Sequence, residues 1–409
     1  MRLLCTALGL TLLAACASPP RRTLDRGAPE MEVSGGDATT PSLELRSLQP
    51  FGEQGELPMQ LLEAGPGRWM VLTSRAAYLL SSEGQVLQRT VWPATSSGTF
   101  AAVTSAAWDG AGLGVALRWA GDETRAAGSY FVLGDGQGAL SPSSWVSLGP
   151  PVGAPRAAWN GETYQAVWSA LSGEGLDLHL TRVAPGGEPS SRILVGGISP
   201  DSTLEDWIAP AGSPAALCTI ELGNRVVLRR FEAAGPSPTV ELTGAERRAA
   251  SPCRLASSGR SVLVCSQTRG LAPEPPDGGA APDRGLKSLS FDTPVFQLVS
   301  PESTTLPSPV RWSAFDGTVR LDGVLWRGSR YLALLSWVGY RGGRLVLAAL
   351  DEAGRVLARD LLLPLPYEPG ELLGARLAAT PDDLVVVFIV RRPWDEGRLY
   401  LARLTPRGL

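Results

Sequence analysis

From about residue 42 onward the chain alternates short apolar runs with polar breaks rich in glycine, proline and aspartate. That is the period-two pattern of half-buried β-strands separated by tight turns. Residues 153–159, 163–170, 176–183 and 190–195 form one such set of four, and Leu176-Asp177-Leu178-His179-Leu180 shows the alternation plainly. Leu384 to Val390 is apolar throughout and predicts a strand buried on both faces. A corner recurs between the first two strands of a set: Trp108-Asp109-Gly110, Trp159-Asn160-Gly161 and Trp326-Arg327-Gly328. Weaker copies carry turns at Gly67, Gly212, Gly259 and about residue 382, so the period is near fifty, with one insertion after Leu271. Four short antiparallel strands repeated at a fixed period define a β-propeller blade. The expected fold is therefore all-β, a seven-bladed β-propeller of four-stranded antiparallel blades. A pair of β-sandwiches could share the turn spacing, but the recurring Trp-x-Gly corner argues against it. The seventh set ends one strand short, and the alternating segment Ser42 to Leu48 precedes the first complete set. We expect this N-terminal strand to close the ring and remove an exposed sheet edge.

The first residues read differently. Arg2 is followed by an apolar run, Leu3 to Leu13, too short to span a bilayer but suited to a signal peptide. It ends in Leu13-Ala14-Ala15-Cys16, which resembles the lipobox of bacterial lipoproteins. The resemblance implies cleavage before Cys16, lipid on its sulfur and its new amino group, and anchoring of the protein to a membrane. Several acyl chains on one residue would hold stably, where one would be marginal. Ala17 rather than aspartate follows the cysteine, which by the same resemblance implies the outer membrane. Residues 16–41 are rich in proline, glycine, serine and charge, the composition of a flexible tether. The expected organisation is a signal peptide (1–15), a lipidated tether (16–41) and a propeller (42–409).

Composition narrows the function. The 47 glycines and 34 prolines suit turn-rich β structure, and a net charge of −3 is too small to steer nucleic acid. The string Trp-[Asp/Asn]-Gly-x-x-Tyr-x-x-x-Trp, followed by an alternating strand and a glycine turn, resembles the exported propeller repeats common in myxobacterial proteins. The resemblance supports fold and compartment rather than any activity. Export permits a disulfide. Cys253 and Cys265 are equidistant from Gly259, so a hairpin centred there would set them opposite each other. Cys218, one repeat earlier than Cys265, is a rival partner for Cys253.

Candidate chemistry is sparse. Trp108, Trp159 and Trp326, with Tyr164 and Tyr331, could stack on a sugar or peptide, but recurring aromatic residues more simply fill equivalent packing sites. The single histidine, His179, sits in an alternating strand far from any nucleophile elbow. Neither a metal cluster nor a cofactor loop has recognised spacing. Asp109, Asp316, Asp351, Asp382 and Asp383 all fall in turns, where aspartate serves the backbone. The leading expectation is a non-enzymatic binding or scaffold module of the cell envelope, held to the membrane through Cys16, with an envelope protein or glycan as partner. The alternatives are a carbohydrate-active hydrolase on the propeller fold and a structural subunit of an envelope assembly.

Overall fold

The alternating segments fold into seven antiparallel sheets, the blades of a seven-bladed β-propeller. The computed structural model describes residues 41–407 apart from 93–101, 151, 174, 222–224, 233–234, 237–238, 243–247, 272–289, 301–309, 312–316, 340–341, 366–370, 381 and 392–395. The expected signal segment, Cys16, the tether up to residue 40 and Asp316 lie outside the described residues. Among the described residues no helix is long and apolar enough to cross a membrane.

Blade 1 comprises Pro58–Glu63, Arg68–Thr73, Ala76–Ser81 and Val86–Val91. Blade 2 comprises Ala102–Trp108, Leu113–Trp119, Gly128–Gly134 and Val146–Gly149. Blade 3 comprises Arg156–Trp159, Tyr164–Ser172, Gly175–Val183 and Ser190–Ile198, close to the bounds expected from the pattern. Blade 4 has Thr203–Ile208, Ala215–Glu221 and Arg225–Glu232, and its outer edge is split into Gly235–Pro236 and Val240–Glu241. Blade 5 is Arg248–Ser257, Val262–Leu271, Ser290–Val299 and Val310–Arg311. Blade 6 is Gly317–Arg327, Arg330–Gly339, Gly342–Asp351 and Val356–Leu362. Blade 7 contributes Glu371–Ala379, Leu384–Arg391 and Arg398–Arg407, and Ser42–Phe51 supplies its outer strand. The closing strand pairs from Ser42 opposite Arg407 to Phe51 opposite Leu399, with a bulge at Arg46. Arg407 forms an ion pair with Glu44, and Arg46 Nε donates to Thr405 Oγ1 at 2.8 Å.

The buried apolar clusters lie between successive blades. One cluster joins Phe131 and Leu148 of blade 2 to Tyr164 and Val183 of blade 3. Another joins Leu263 and Phe296 of blade 5 to Leu321 and Tyr331 of blade 6. A blade pressed between two neighbours buries both faces, which is why Leu384–Ile389 is apolar at every position and wholly buried. Each such side chain contributes about 1.5–3 kcal/mol. Outer strands have no such cover: Val86, Leu87, Val91 and Ile193 stand exposed there.

Polar bonds also cross between blades, about one repeat apart in sequence. Thr104 Oγ1 donates to Pro155 O at 2.6 Å, Gln267 Nε2 to Val319 O at 2.8 Å and Arg327 Nε to Thr380 O at 3.0 Å. The Trp-[Asp/Asn]-Gly corner has a backbone explanation. Asp109 Oδ1 accepts from Ala111 N at 2.7 Å and Gly112 N at 2.6 Å, and Asn160 Oδ1 accepts from Glu162 N and Thr163 N at 3.0 and 2.7 Å. Gly161 sits at φ +96°, a conformation that side chains disfavour. The tyrosine of the motif reaches back to the preceding blade: the Tyr331 hydroxyl donates to Ser261 O at 2.8 Å, at the inner hairpin turn of blade 5.

The cysteine expectation is corrected. The disulfide joins Cys218 of blade 4 to Cys253 of blade 5, with Cα atoms 6.8 Å apart, and Cys265 is free and buried. The hairpin is centred between Gly259 and Arg260, because Ser257 pairs with Val262, so Cys265 stands opposite Arg254. A one-residue slip reverses the face of a strand residue. Cys253 accordingly packs in the cluster shared with blade 4, and Cys265 in the cluster shared with blade 6.

Candidate functional site

The innermost strands of all seven blades line one central cavity of about 680 Å³. Its walls mix apolar side chains, among them Trp159, Leu255 and Leu377, with a small set of charged ones. Arg156, Arg254 and Arg376 come from blades 3, 5 and 7, each three residues before the end of its inner strand at Trp159, Ser257 and Ala379. The blades between them contribute Asp206 and Asp322. Arginine and aspartate therefore alternate around five of the seven blades.

Each arginine bonds to backbone carbonyls. Arg156 Nε donates to Glu205 O at 2.6 Å and its Nη1 to Thr104 O at 3.0 Å, tying blade 3 to both neighbours. Arg376 Nε donates to Met59 O at 2.7 Å, across the junction where the ring closes, and its Nη1 to Ala375 O at 2.6 Å. Arg254 uses Nη1 alone, toward Cys253 O at 3.1 Å and Glu205 O at 3.5 Å. Among the described residues none of the three closes an ion pair with a carboxylate. A guanidinium carries five N–H donors, so each keeps donors in reserve.

The carboxylates are already engaged. Asp206 Oδ2 accepts from Leu255 N of blade 5 at 2.8 Å, and its Oδ1 from Trp207 N at 3.0 Å. Asp322 accepts from Arg320 Nε at 3.0 Å, from the Ser336 hydroxyl and from Ala375 N of blade 7 at 3.4 Å. Burial sets the electrostatics. It pushes Asp206 above the usual carboxylate range, outweighing the attraction of Arg254 and Arg156. It pushes Arg376 down to about 10, with repulsion from Arg254 in the same direction and attraction from Asp322 opposing. Arg156 is lowered by burial and then by Arg254. Arg156 and Arg376 nonetheless remain charged at neutral pH.

The residues singled out from sequence lie elsewhere, with one exception. Trp159 lines the cavity, and its ring also packs against Tyr164 at 4.8 Å. Trp326 packs against Tyr331 at 4.6 Å, and Trp108 against the cluster shared by blades 7, 1 and 2. His179 stacks on Trp168, centroids 4.4 Å apart. Asp109 and Asp351 cap turns, and Asp383 binds Arg403 and Thr405 at 2.7 and 2.8 Å. Among the described residues no three His, Cys, Asp or Glu side chains converge on a metal position. Sequence reasoning missed the arginines although a signal existed: Arg156-Ala-Ala, Arg254-Leu-Ala and Arg376-Leu-Ala recur just before the inner turn. A charge that repeats inside an otherwise apolar strand marks a site that each blade faces in the same way.

No protein-family model matches the chain, and no curated protein matches it. Solved structures do. The polysaccharide lyase Uly1 is 8% identical with a TM-score of 0.53, over 85% of this chain and 89% of that one. The hydrazine synthase of Kuenenia stuttgartiensis is 13% identical with a TM-score of 0.49, over 81% and 92%. Prolyl oligopeptidase B from Galerina marginata is 10% identical with a TM-score of 0.42, over 82% and 46%. At these identities the likeness concerns the fold alone. Fold and cavity together define the class: a β-propeller whose candidate site is its axial channel.

Proposed function

We propose that this chain is an exported bacterial lipoprotein, acylated at Cys16 and carried on the outer membrane, whose propeller is a non-enzymatic binding module of the cell envelope with the axial channel as its ligand site. One observation carries the reading: the channel's carboxylates are spent on holding neighbouring blades, while the arginines that line the cavity close no ion pair with a carboxylate among the described residues. A glycoside hydrolase of the usual kind needs a pair of carboxyl groups free to act at the scissile bond. A binder needs convergent donors in a partly apolar cavity of this size. The partner would be an envelope glycan or protein.

Co-sedimentation of the purified protein with envelope polymers tests the reading. Binding without release of soluble fragments is expected. Steady release of fragments or new reducing ends would instead favour a carbohydrate-active enzyme and overturn the proposal.

A further inference from the structure

We infer that the axial channel is an oxyanion site, in which Arg156, Arg254 and Arg376 take the carboxylate, sulfate or phosphate group of a ligand. The inference rests on the channel being the binding site and adds the chemistry of what it binds. Three guanidinium groups reach one cavity from the same strand position on alternate blades. The lining holds four arginines, with Arg118, against two aspartates, in a chain of net charge −3. One of those aspartates, Asp322, is already paired with Arg320. Positive charge is thus concentrated at the axis against the sign of the whole molecule, and low-dielectric walls focus such a field.

Arg376, like Arg156 and Arg254, bonds neutral carbonyls, its two bonds going to Met59 O and Ala375 O. Burial disfavours its charge and Arg254 repels it, against attraction from Asp322. An anion between the guanidinium groups relieves that repulsion and takes up their spare donors. A planar fork matches two oxygens of a carboxylate, sulfate or phosphate better than an ammonium does. Trp159, Leu255 and Leu377 offer apolar wall to the rest of the ligand.

The test is calorimetric titration of the purified full-length protein with inorganic phosphate, sulfate and glucuronate, each at ionic strength matched with sodium chloride. Saturable one-to-one binding of at least one anion is expected, with phosphate or glucuronate as the tighter ligand separating a phosphorylated from a sugar-acid source. Arg254→Gln and Arg376→Gln should each weaken it at least tenfold, and Arg355→Gln, at an exposed turn, should leave it unchanged. Far-ultraviolet circular dichroism checks that each variant folds. Should Arg376→Gln fail to fold, Arg254→Gln, whose side chain bonds only through Nη1, decides the matter. No saturable heat with any of the three anions, or equal affinity in a folded Arg254→Gln protein, overturns the inference. Envelope binding that persists without oxyanion binding would sink this inference alone, whereas turnover of a bound anion-bearing polymer would sink the binding-module reading alone.

Discussion

Asp109 and Asp351 cap backbone N–H groups at turns, whereas Asp383 ties its turn to side chains of a neighbouring strand. Asp383 is held below the usual carboxylate range: burial opposes ionisation, but bonds from Thr405 and Arg403 prevail. A carboxylate whose native pKa is depressed contributes stability that is present above its unfolded pKa and lost as pH falls through the native one. Asp383→Asn should therefore cost about 1–3 kcal/mol at pH 7, and its deficit in urea titrations should shrink as the medium is acidified. A deficit independent of pH would contradict the electrostatic account. At Gly161 a Cβ would meet Ala211 Cβ at 2.9 Å with φ at +96°. Gly161→Ala should lower the unfolding free energy by about 1–3 kcal/mol, read from urea titrations.

Single elements decide how the ring is joined. The Cys218–Cys253 disulfide ties blade 4 to blade 5 across 35 residues of chain. For a loop of that length the chain-entropy model assigns about 4 kcal/mol. Peptide mapping should find those two cysteines linked and Cys265 as a free thiol protected until unfolding, since it is fully buried. Reduction should then lower the unfolding midpoint. The closing strand offers a second check. Deleting residues 42–48 removes most of the partner of Arg398–Arg407 and leaves a hydrogen-bonding edge open. The truncated chain should unfold at lower denaturant and aggregate more readily in light scattering; an unchanged midpoint would mean that closure adds no stability.

At the scale of the whole molecule, anchoring and channel chemistry are separate questions with separate measurements. Mass spectrometry of the mature N-terminus should find Cys16 acylated; an unmodified terminus cut elsewhere would remove the lipoprotein proposal while leaving the propeller intact. The channel exists only because seven inner strands meet around one axis, and its charge pattern alternates blade by blade from Arg156 to Arg376. Among the described residues these arginines close no ion pair with a carboxylate, and carbonyl bonds hold them instead, Met59 O for Arg376 and Thr104 O with Glu205 O for Arg156.

The periodic pattern by itself determined the architecture. Alternation specifies strands, a Trp-x-Gly corner specifies hairpins, and a period near fifty specifies blades, because each is local chemistry repeated. The missing strand of the seventh set pointed to Ser42–Leu48 for the same reason. What crosses between blades was decided only by the tertiary structure. A turn displaced by half a residue sent Cys253 toward blade 4 and Cys265 toward blade 6, and no local signal records so small a shift. The arginine channel likewise needs residues about a hundred positions apart to face one axis, so each arginine looks like an ordinary strand charge until the ring brings the three together.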